Sequence, residues 1–280
     1  MERVESTCRG GALVLVKMPM DSLHPEKSSD SLTRGLEILQ LLTVCGSSLG
    51  LTQLADELDL PKSTTHRLLG ILRGLDFIEQ HPKTMRYCAS AKLFALMYSW
   101  AHRFGPNSKL HQTVRDCAAE CGASIYLSML SHRTTYVISA AGLLGDTSAL
   151  GSEAPVYASS VGKILVASLP PEEWPAYAPN AQDFQGTPQT NLDPEHFYEE
   201  LRVAKKAGVA WNISEWIGGS VSVAAAVKEL SPEPRLAVAI VLPVKNFSPQ
   251  DSPQMARQIK HVAQKISAIL RLRTEEPVNA

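Results

Sequence analysis

The chain lacks both an excess of one charge and an apolar run long enough for a membrane. Its 280 residues carry a formal net charge of -1, so a surface that attracts polyanions over its whole area is excluded, and any nucleic-acid contact must be local. Residues 11–20 are apolar, but Lys17 interrupts them and they fall short of the ~20 residues that span a bilayer. No signal-peptide cleavage site follows them. We therefore expect a cytoplasmic protein without membrane contact.

A disulfide framework and a metal-binding pattern are also missing. The five cysteines are odd in number and include no CxxC pair, which indicates a reducing compartment. Cys117 and Cys121 are four residues apart on a predicted helix, but two thiols without a set of His or Cys partners do not favour a zinc site. We predict no metal and no cofactor, and expect both thiols to be small packing residues.

Signatures of catalysis are absent as well. Gly162-Lys163 lacks the first glycine and the following Ser or Thr of a phosphate-binding loop, because position 157 is Tyr and position 164 is Ile. Ser160 does not lie in a G-x-S-x-G motif, and no pattern assigns any of the eight histidines to it. The sequence therefore predicts a protein that is not an enzyme, with a small hydrolase or ligand-degrading domain as the alternative.

The most informative feature present is a pair of short predicted helices between residues 51 and 75. They are separated at Asp59-Leu60-Pro61, where Pro61 is tolerated at a helix start and Ser63 or Thr64 is the predicted cap. Helical spacing gives each an apolar face, the first formed by Leu51, Leu54, Ala55 and Leu58 and the second by Leu68, Leu69, Ile71, Leu72 and Leu75. This layout predicts a helix-turn-helix, although an ordinary pair of antiparallel helices fits the same pattern.

The polar side chains left outward at the start of the second helix are suited to phosphates and base edges. They are Lys62, Ser63, Thr64, His66 and Arg67. A β-prone run then turns at His81-Pro82-Lys83 and returns, which predicts a wing with Lys83 and Arg86 at or beside its tip. Between residues 60 and 92, six basic side chains stand against two acidic ones, and this surplus of four favours double-stranded DNA as a partner.

The chain is long enough for two domains, each with its own core. We predict a flexible N-terminal arm at residues 1–30, a DNA-binding domain at 31–90, a linker helix at 91–106 and an effector-binding and oligomerisation domain at 107–280. The linker is strongly apolar, which favours a dimer interface. Strands are predicted at 125–130, 135–140, 220–227 and 235–242, and helices at 160–169, 193–207 and 252–272. This order indicates an α+β ligand-sensing domain and not a doubly wound dinucleotide fold.

From Ser31 to about Leu272, the chain resembles the IclR family of transcriptional regulators. The resemblance is carried by SLTRGLEILQLL, LPKSTTHRLLGIL, the wing, VYASSVGKILVA and GGSVSVAAAV. It implies an α+β protein in which a winged helix-turn-helix is joined by a dimerising linker helix to a C-terminal α/β, GAF-like effector domain. It further implies a homodimer or homotetramer that binds a pseudo-palindromic operator and represses a catabolic operon until a small metabolite releases it. An effector-dependent activator and a ligand-independent DNA-binding dimer are the alternatives.

The resemblance also implies where the effector binds. The matching positions are Ser160, Val161, Asn212, Ser222, Ala239 and Val241. Ala239 and Val241 stand where relatives often have polar side chains, and Asn212 replaces an acidic residue. The implied pocket is therefore less polar and suits a metabolite with an apolar body and one carboxylate or carbonyl end. Without the resemblance, the serines would be interpreted as helix caps and sheet packing.

Overall fold

The protein is described by a computed structural model that covers residues 31–101, 108–142, 149–180, 182–183, 186–228 and 235–273. The predicted arm at residues 1–30 lies outside these ranges. The chain divides into two compact units, one holding the described residues 31–101 and the other holding those from 108 to 273. In the described ranges, no helix is both long enough and apolar enough to cross a membrane.

The N-terminal unit is a winged helix-turn-helix, as the sequence predicted. Its elements are α1 (Ser31–Val44), α2 (Leu51–Glu57), α3 (Lys62–Gly74), β1 (Ile78–Gln80), β2 (Tyr87–Ala89) and α4 (Ala91–Ala101). The three first helices pack around a core that includes Ile38, Leu54 and Leu69, because each presents one apolar stripe inward. Strands β1 and β2 pair antiparallel, and a bridge between Leu49 and Tyr87 extends the wing sheet.

Two details of α3 differ from the prediction. The cap residue is Pro61, with no side-chain cap bond, so that Ser63 and Thr64 lie inside the first turn instead of capping it. Ile71 and Leu75 are 48% and 53% exposed, although both were predicted on the buried face. The buried stripe is rotated toward Thr65, which is fully buried and donates its hydroxyl proton to the Pro61 carbonyl.

The C-terminal unit contains one six-stranded antiparallel sheet with helices on both faces. Its strands are β3 (Ser124–Ser131), β4 (Thr134–Ala141), β5 (Glu153–Pro155), β6 (Ala210–Ile213), β7 (Ser220–Ala226) and β8 (Leu236–Pro243), and its helices are α5 (Lys109–Cys121), α6 (Ser160–Ala167), α7 (Pro194–Ala207) and α8 (Ser252–Arg273). The strand order is β5-β4-β3-β8-β7-β6. The predicted strands and helices are present, whereas the short edge strands β5 and β6 were not predicted.

Side-chain alternation along β8 separates two cores. Leu236, Val238 and Ile240 face the core shared with α5 and α8, which also contains the buried Cys117, with Cys121 packed against it. Ala237 and Ala239 face the core shared with α6 and α7. Because side chains alternate along a strand, β3, β6, β7 and β8 each contribute to both cores. Cys117 and Cys121 were predicted to be packing residues, and their positions in and against the core shared with α5 and α8 agree with that prediction.

The sheet curls around α6. This eight-residue helix lies against β3, β4, β6, β7 and β8, which a flat sheet of that width does not allow. The two edges of the sheet also approach each other, since the indole N–H of Trp216, just after β6, donates to the Glu153 carbonyl of β5 at 3.1 Å. Helix α6 therefore lies in the concave face of the sheet, and the residues between the helix and the strands are enclosed.

Candidate DNA interface and effector site

The predicted DNA contacts on α3 lie on one exposed end of that helix. Lys62, Ser63, His66 and Arg67 are exposed, and Thr64 is half-buried. An Nη atom of Arg67 donates to the hydroxyl of Ser31 at the start of α1, at 2.8 Å. That contact lies on the surface, so the guanidinium can exchange it for a base edge or a phosphate.

The two predicted wing contacts have different surroundings. Lys83 is exposed in the turn between β1 and β2. Arg86 is half-buried, and its Nε donates to the Ser48 carbonyl at 3.0 Å and to the Ser48 hydroxyl at 3.2 Å. Arg86 therefore ties the wing to the segment between α1 and α2, and its contact with DNA stays a prediction.

Two further basic side chains of this unit form hydrogen bonds with uncharged groups. Arg73 donates to the side-chain oxygen of Gln80 at 2.7 Å, and the ammonium of Lys92 donates to the Leu75 carbonyl at 2.7 Å. Neither partner carries a charge, so both cations keep their full attraction for phosphates.

The six predicted effector residues meet in the concave face of the sheet. Strand register places Asn212 opposite Ser222, and Ser222 opposite Val241, so that one row crosses β6, β7 and β8. Above this row, the hydroxyl of Ser160 lies 2.8 Å from the hydroxyl of Ser222. Val161 and Ala239 belong to the same core. The structure thus brings together positions that are up to 81 residues apart in sequence, Ser160 and Val241.

The start of α6 is fixed by its immediate neighbours. The side chain of Ser159 caps the helix by accepting the Gly162 N–H at 3.0 Å. Gly162 packs so closely on the preceding 3₁₀ turn, Val156–Ala158, that a Cβ at this position would overlap the Val156 backbone. The amides of Ser160 and Val161, the predicted anion or carbonyl donors, are therefore anchored on both sides.

Asn212 is engaged at both ends of its amide. Its NH₂ group donates to the Ala158 carbonyl, and its oxygen accepts the Glu215 N–H at 3.3 Å. Asn212 is 3% exposed, so these bonds satisfy a buried polar group. Each end of the amide can form one further hydrogen bond, so a ligand can contact Asn212 through its second N–H or its second lone pair.

Lys163 is a functional candidate that the sequence interpretation missed. It is 1% exposed, and its ammonium donates to Glu200 at 2.7 Å and to Glu215 at 2.6 Å. Burial raises the pKa of the Glu215 carboxyl, and the ammonium of Lys163 opposes that shift. The lysine was considered only as part of a phosphate loop, because its acidic partners are 37 and 52 residues away along the chain.

The segment 214–219 between β6 and β7 is bonded both to α6 and to the opposite edge strand of the sheet. The hydroxyls of Thr187 and Thr190 donate to the Glu215 carbonyl, and Trp216 bonds to the opposite edge strand. Together with the Lys163–Glu215 ion pair, these bonds hold the segment across the concave face. We call residues 214–219 the cover segment.

A cavity of about 300 Å³ lies on another part of this unit. It is formed where the end of α5 and the end of β8 meet the beginning of α8, and its walls include Cys121, Ser124, Asp251, Gln254 and Gln258. Among the six predicted effector residues, Val241 alone lines it. This open cavity and the closed site under α6 are therefore different places.

One unit carries a winged helix-turn-helix with an exposed basic surface, and the other carries a sheet that encloses a polar site. This combination defines a class of DNA-binding regulators with a ligand-sensing domain. Comparison with known proteins gives the family.

The family model of the IclR helix-turn-helix domain matches residues 31–82, and that of the bacterial transcriptional regulator IclR C-terminal domain matches residues 102–268. The chain is 25% identical over 242 residues to the transcriptional repressor IclR of Escherichia coli (strain K12), covering 85% of this chain and 88% of that protein. It is 26% identical over 253 residues to the HTH-type transcriptional repressor AllR of Klebsiella pneumoniae, with coverages of 89% and 93%.

A solved structure has a similar fold. An IclR homolog from Microbacterium hydrocarbonoxydans, complexed with 4-hydroxybenzoate, matches with a TM-score of 0.69 at 19% identity, covering 87% of this chain and 100% of that one. The chain belongs to the IclR family of bacterial transcriptional regulators. It combines the helix-turn-helix domain of this family with the C-terminal domain of bacterial IclR transcriptional regulators.

Proposed function

We propose that this regulator is a repressor that controls a catabolic operon and leaves a pseudo-palindromic operator when a small metabolite binds between α6 and the sheet. The observation that carries the proposal is the Ser160–Ser222 hydroxyl pair above the row Asn212, Ser222 and Val241. A ligand shifts DNA affinity only if it binds the DNA-competent and incompetent states differently. Opening the cover segment to admit the ligand supplies such a difference.

The effector class follows from the chemistry of this site. Val161, Ala239 and Val241 give it apolar walls, while the hydroxyls of Ser160 and Ser222 and the amides at the start of α6 give it a few polar groups. Such a site suits an apolar body with one carboxylate or carbonyl end. The ligand of the Microbacterium structure, 4-hydroxybenzoate, has an aromatic body with a carboxylate at one end and a hydroxyl at the other, and it serves as the first probe.

The test uses the full chain and a duplex that it selects from a random-sequence pool. Release of this duplex is titrated with 4-hydroxybenzoate and, for comparison, with pyruvate as a compact oxo acid, and thermal unfolding reports binding through mass action. We expect the aromatic acid to raise the Tm and to release DNA at lower concentration than pyruvate. A response to pyruvate alone, or to neither acid, would contradict the proposed ligand class. Stronger DNA binding with ligand would identify an effector-dependent activator.

Four variants test and locate the site. Val241→Asp introduces a carboxylate into an apolar wall, and we expect it to abolish the response while leaving DNA binding intact. Because Val241 also lines the cavity beside α8, Ser222→Leu changes the site under α6 alone and should likewise abolish the response. Val203→Asp, on the exposed face of α7, is the matched control because its side chain is 59% exposed. Gln258→Leu alters the cavity beside α8 and leaves the site under α6 unchanged. Loss of response in Gln258→Leu, with an unchanged response in Ser222→Leu, would move the effector to that cavity.

We propose that α4 mediates assembly into a homodimer or homotetramer. Phe94, Met97 and Tyr98 share one face of this helix at i, i+3 and i+4 spacing, and all three are more than half exposed. We expect Phe94→Glu to lower the oligomeric state measured by sedimentation, whereas Val203→Glu should leave it unchanged. Identical sedimentation of all three proteins would place the interface elsewhere.

We also propose that the protein acts in the cytoplasm without a metal, a cofactor or a catalytic step. The motif departures around Gly162-Lys163 and Ser160 support this proposal. Recovery of unchanged 4-hydroxybenzoate after prolonged incubation with the protein is the expected result, and its conversion to a product would contradict it.

A further inference from the structure

The turn of the wing is organised by His81. Its Nδ1 accepts the backbone N–H groups of Lys83 at 3.3 Å and of Thr84 at 3.2 Å. Its own backbone N–H donates to the Arg86 carbonyl at 2.8 Å, and its carbonyl accepts the Met85 N–H at 2.8 Å. Four hydrogen bonds of a single residue therefore shape the segment that presents Lys83.

These bonds also fix the tautomer of the imidazole. A ring nitrogen that accepts two N–H groups carries no proton, so that the proton of the neutral ring is on Nε2. His81 is exposed, and its ring therefore provides an N–H donor at the surface of the wing turn. A neutral donor of this kind suits a phosphate oxygen, the group that receives most protein contacts on DNA.

We propose that His81 is a DNA-contact residue of the wing, which positions Lys83 through Nδ1 and donates from Nε2–H to a backbone phosphate. The inference rests on the proposed contact between the wing and DNA. The position of Arg86 supports the inference. Because its guanidinium is hydrogen-bonded to Ser48, Lys83 is the cation that the turn itself presents to DNA. His81 and Lys83 thus form one phosphate-binding unit, with the imidazole supplying both the geometry and a second donor.

The test compares His81→Ala and His81→Asn, each with and without Lys83→Ala. Binding of the full chain to the duplex that the wild type selects from a random pool is measured by fluorescence anisotropy over a range of salt concentrations. We expect His81→Ala to weaken binding roughly three- to tenfold, the size of one hydrogen bond. Asparagine accepts from a backbone amide two residues ahead, so His81→Asn should recover the part of the loss that comes from positioning Lys83 and keep the part that comes from the missing Nε2–H donor.

A double-mutant cycle separates positioning from general destabilisation. If His81 positions Lys83, His81→Ala will weaken binding less in the Lys83→Ala background than in the wild type. His132→Ala is the matched control, because His132 also occupies a hairpin turn, between β3 and β4 of the other unit. It should leave DNA binding unchanged.

Each outcome bears on the inference. Binding of His81→Ala within about twofold of the wild type would overturn it, and strictly additive effects with Lys83→Ala would overturn the positioning role. Equal losses for His81→Asn and His81→Ala would show that the Nδ1 acceptor is not what matters. If the wild type enriches no duplex at all, the proposed wing contact fails together with this inference, which distinguishes that result from a failure of His81 alone.

Discussion

The predicted functional side chains are mostly exposed in the N-terminal unit and mostly buried in the C-terminal unit. At the start of α3 and in the wing turn, the predicted DNA contacts are mostly exposed, and Lys83 extends into solvent. In the C-terminal unit, Ser160, Asn212 and Ala239 are buried, and the polar groups of the first two are bonded inside the protein. The predicted DNA-binding surface is therefore accessible in the free protein, whereas the proposed effector site is closed.

The free-energy cost of regulation is therefore expected at the effector-binding step. A DNA complex forms on an existing surface, mainly by exchanging solvent and counterions. An effector at the proposed site must first break protein–protein hydrogen bonds or displace the cover segment, so only part of its contact energy appears as affinity.

The buried ion pairs of Lys163 should give the largest effect. Lys163→Met leaves Glu200 and Glu215 close together without their shared cation, so the free energy of unfolding of the C-terminal unit should fall by about 3–5 kcal/mol. Burial raises the pKa of Glu215, so its protonation favours the folded state at low pH, and the loss should shrink toward a pH of about 4.3. Calorimetry at several pH values measures the loss of unfolding free energy and its dependence on pH.

The control for this variant is Lys206→Met in the last turn of α7, where the lysine is exposed. Its unfolding free energy should stay within about 0.5 kcal/mol of the wild type. If Lys163→Met is equally stable, the cover segment is not held by this ion pair, and the view of a closed effector site is weakened.

On the DNA side, the largest effect should come from Arg67. Arg67→Ala should lose about 1–3 kcal/mol of specific binding if the guanidinium contacts a base. Ser31→Ala removes its hydrogen-bond partner but keeps the charge, so that variant should bind within about 0.5 kcal/mol of the wild type. Anisotropy with the selected duplex measures both. Similar losses in both variants would mean that α1 must position Arg67, and the surface is then less ready than proposed.

The paired hydroxyls under α6 should contribute less. Ser222→Ala leaves the buried Ser160 hydroxyl without this partner and should lower the unfolding free energy by about 1 kcal/mol, whereas the double variant Ser160→Ala/Ser222→Ala should be no worse. Urea unfolding of the three proteins gives the comparison. An additive loss in the double variant would show that each hydroxyl acts through a different partner.

The smallest effect should separate the two basic residues of the wing. Lys83→Ala should reduce the salt dependence of DNA binding by about one unit of slope, because an exposed cation releases one counterion on binding phosphate. Arg86→Ala should change the slope less and lower the Tm of the N-terminal unit, since its guanidinium is bonded to Ser48. An equal slope change for Arg86→Ala would establish the predicted DNA contact for that residue.

Sequence patterns predicted the helices and strands that are determined by their own local sequence. Amphipathic spacing located the helices, and Asp193 and Gly208 marked the two ends of α7, where the structure has a side-chain cap and a left-handed glycine. The edge strands β5 and β6 were missed because three or four residues carry too little periodicity, and pairing with β4 and β7 defines them.

The candidate site was predictable only in part, because the contacts that build it join residues that are far apart in the sequence. The resemblance named the six positions, and register then brought Asn212, Ser222 and Val241 into one row. The partners of those positions depend on contacts distant in sequence, such as Asn212 with Ala158 and Ser160 with Ser222, which no spacing rule contains. The rotation of α3 that exposes Ile71 has the same origin, because Thr65 is buried against its neighbours despite its hydroxyl.

The close approach of Gly162 to Val156 has a consequence for engineering new biosensors from this protein. Any side chain at position 162 would displace the start of α6, so a library that varies this residue would contain mostly inactive members. Val241, by contrast, is half-buried on the opposing strand and has no polar side-chain group to leave unpaired. If the effector binds at the proposed site, a library that changes the ligand preference of the sensor keeps the glycine at 162 and varies positions 239 and 241.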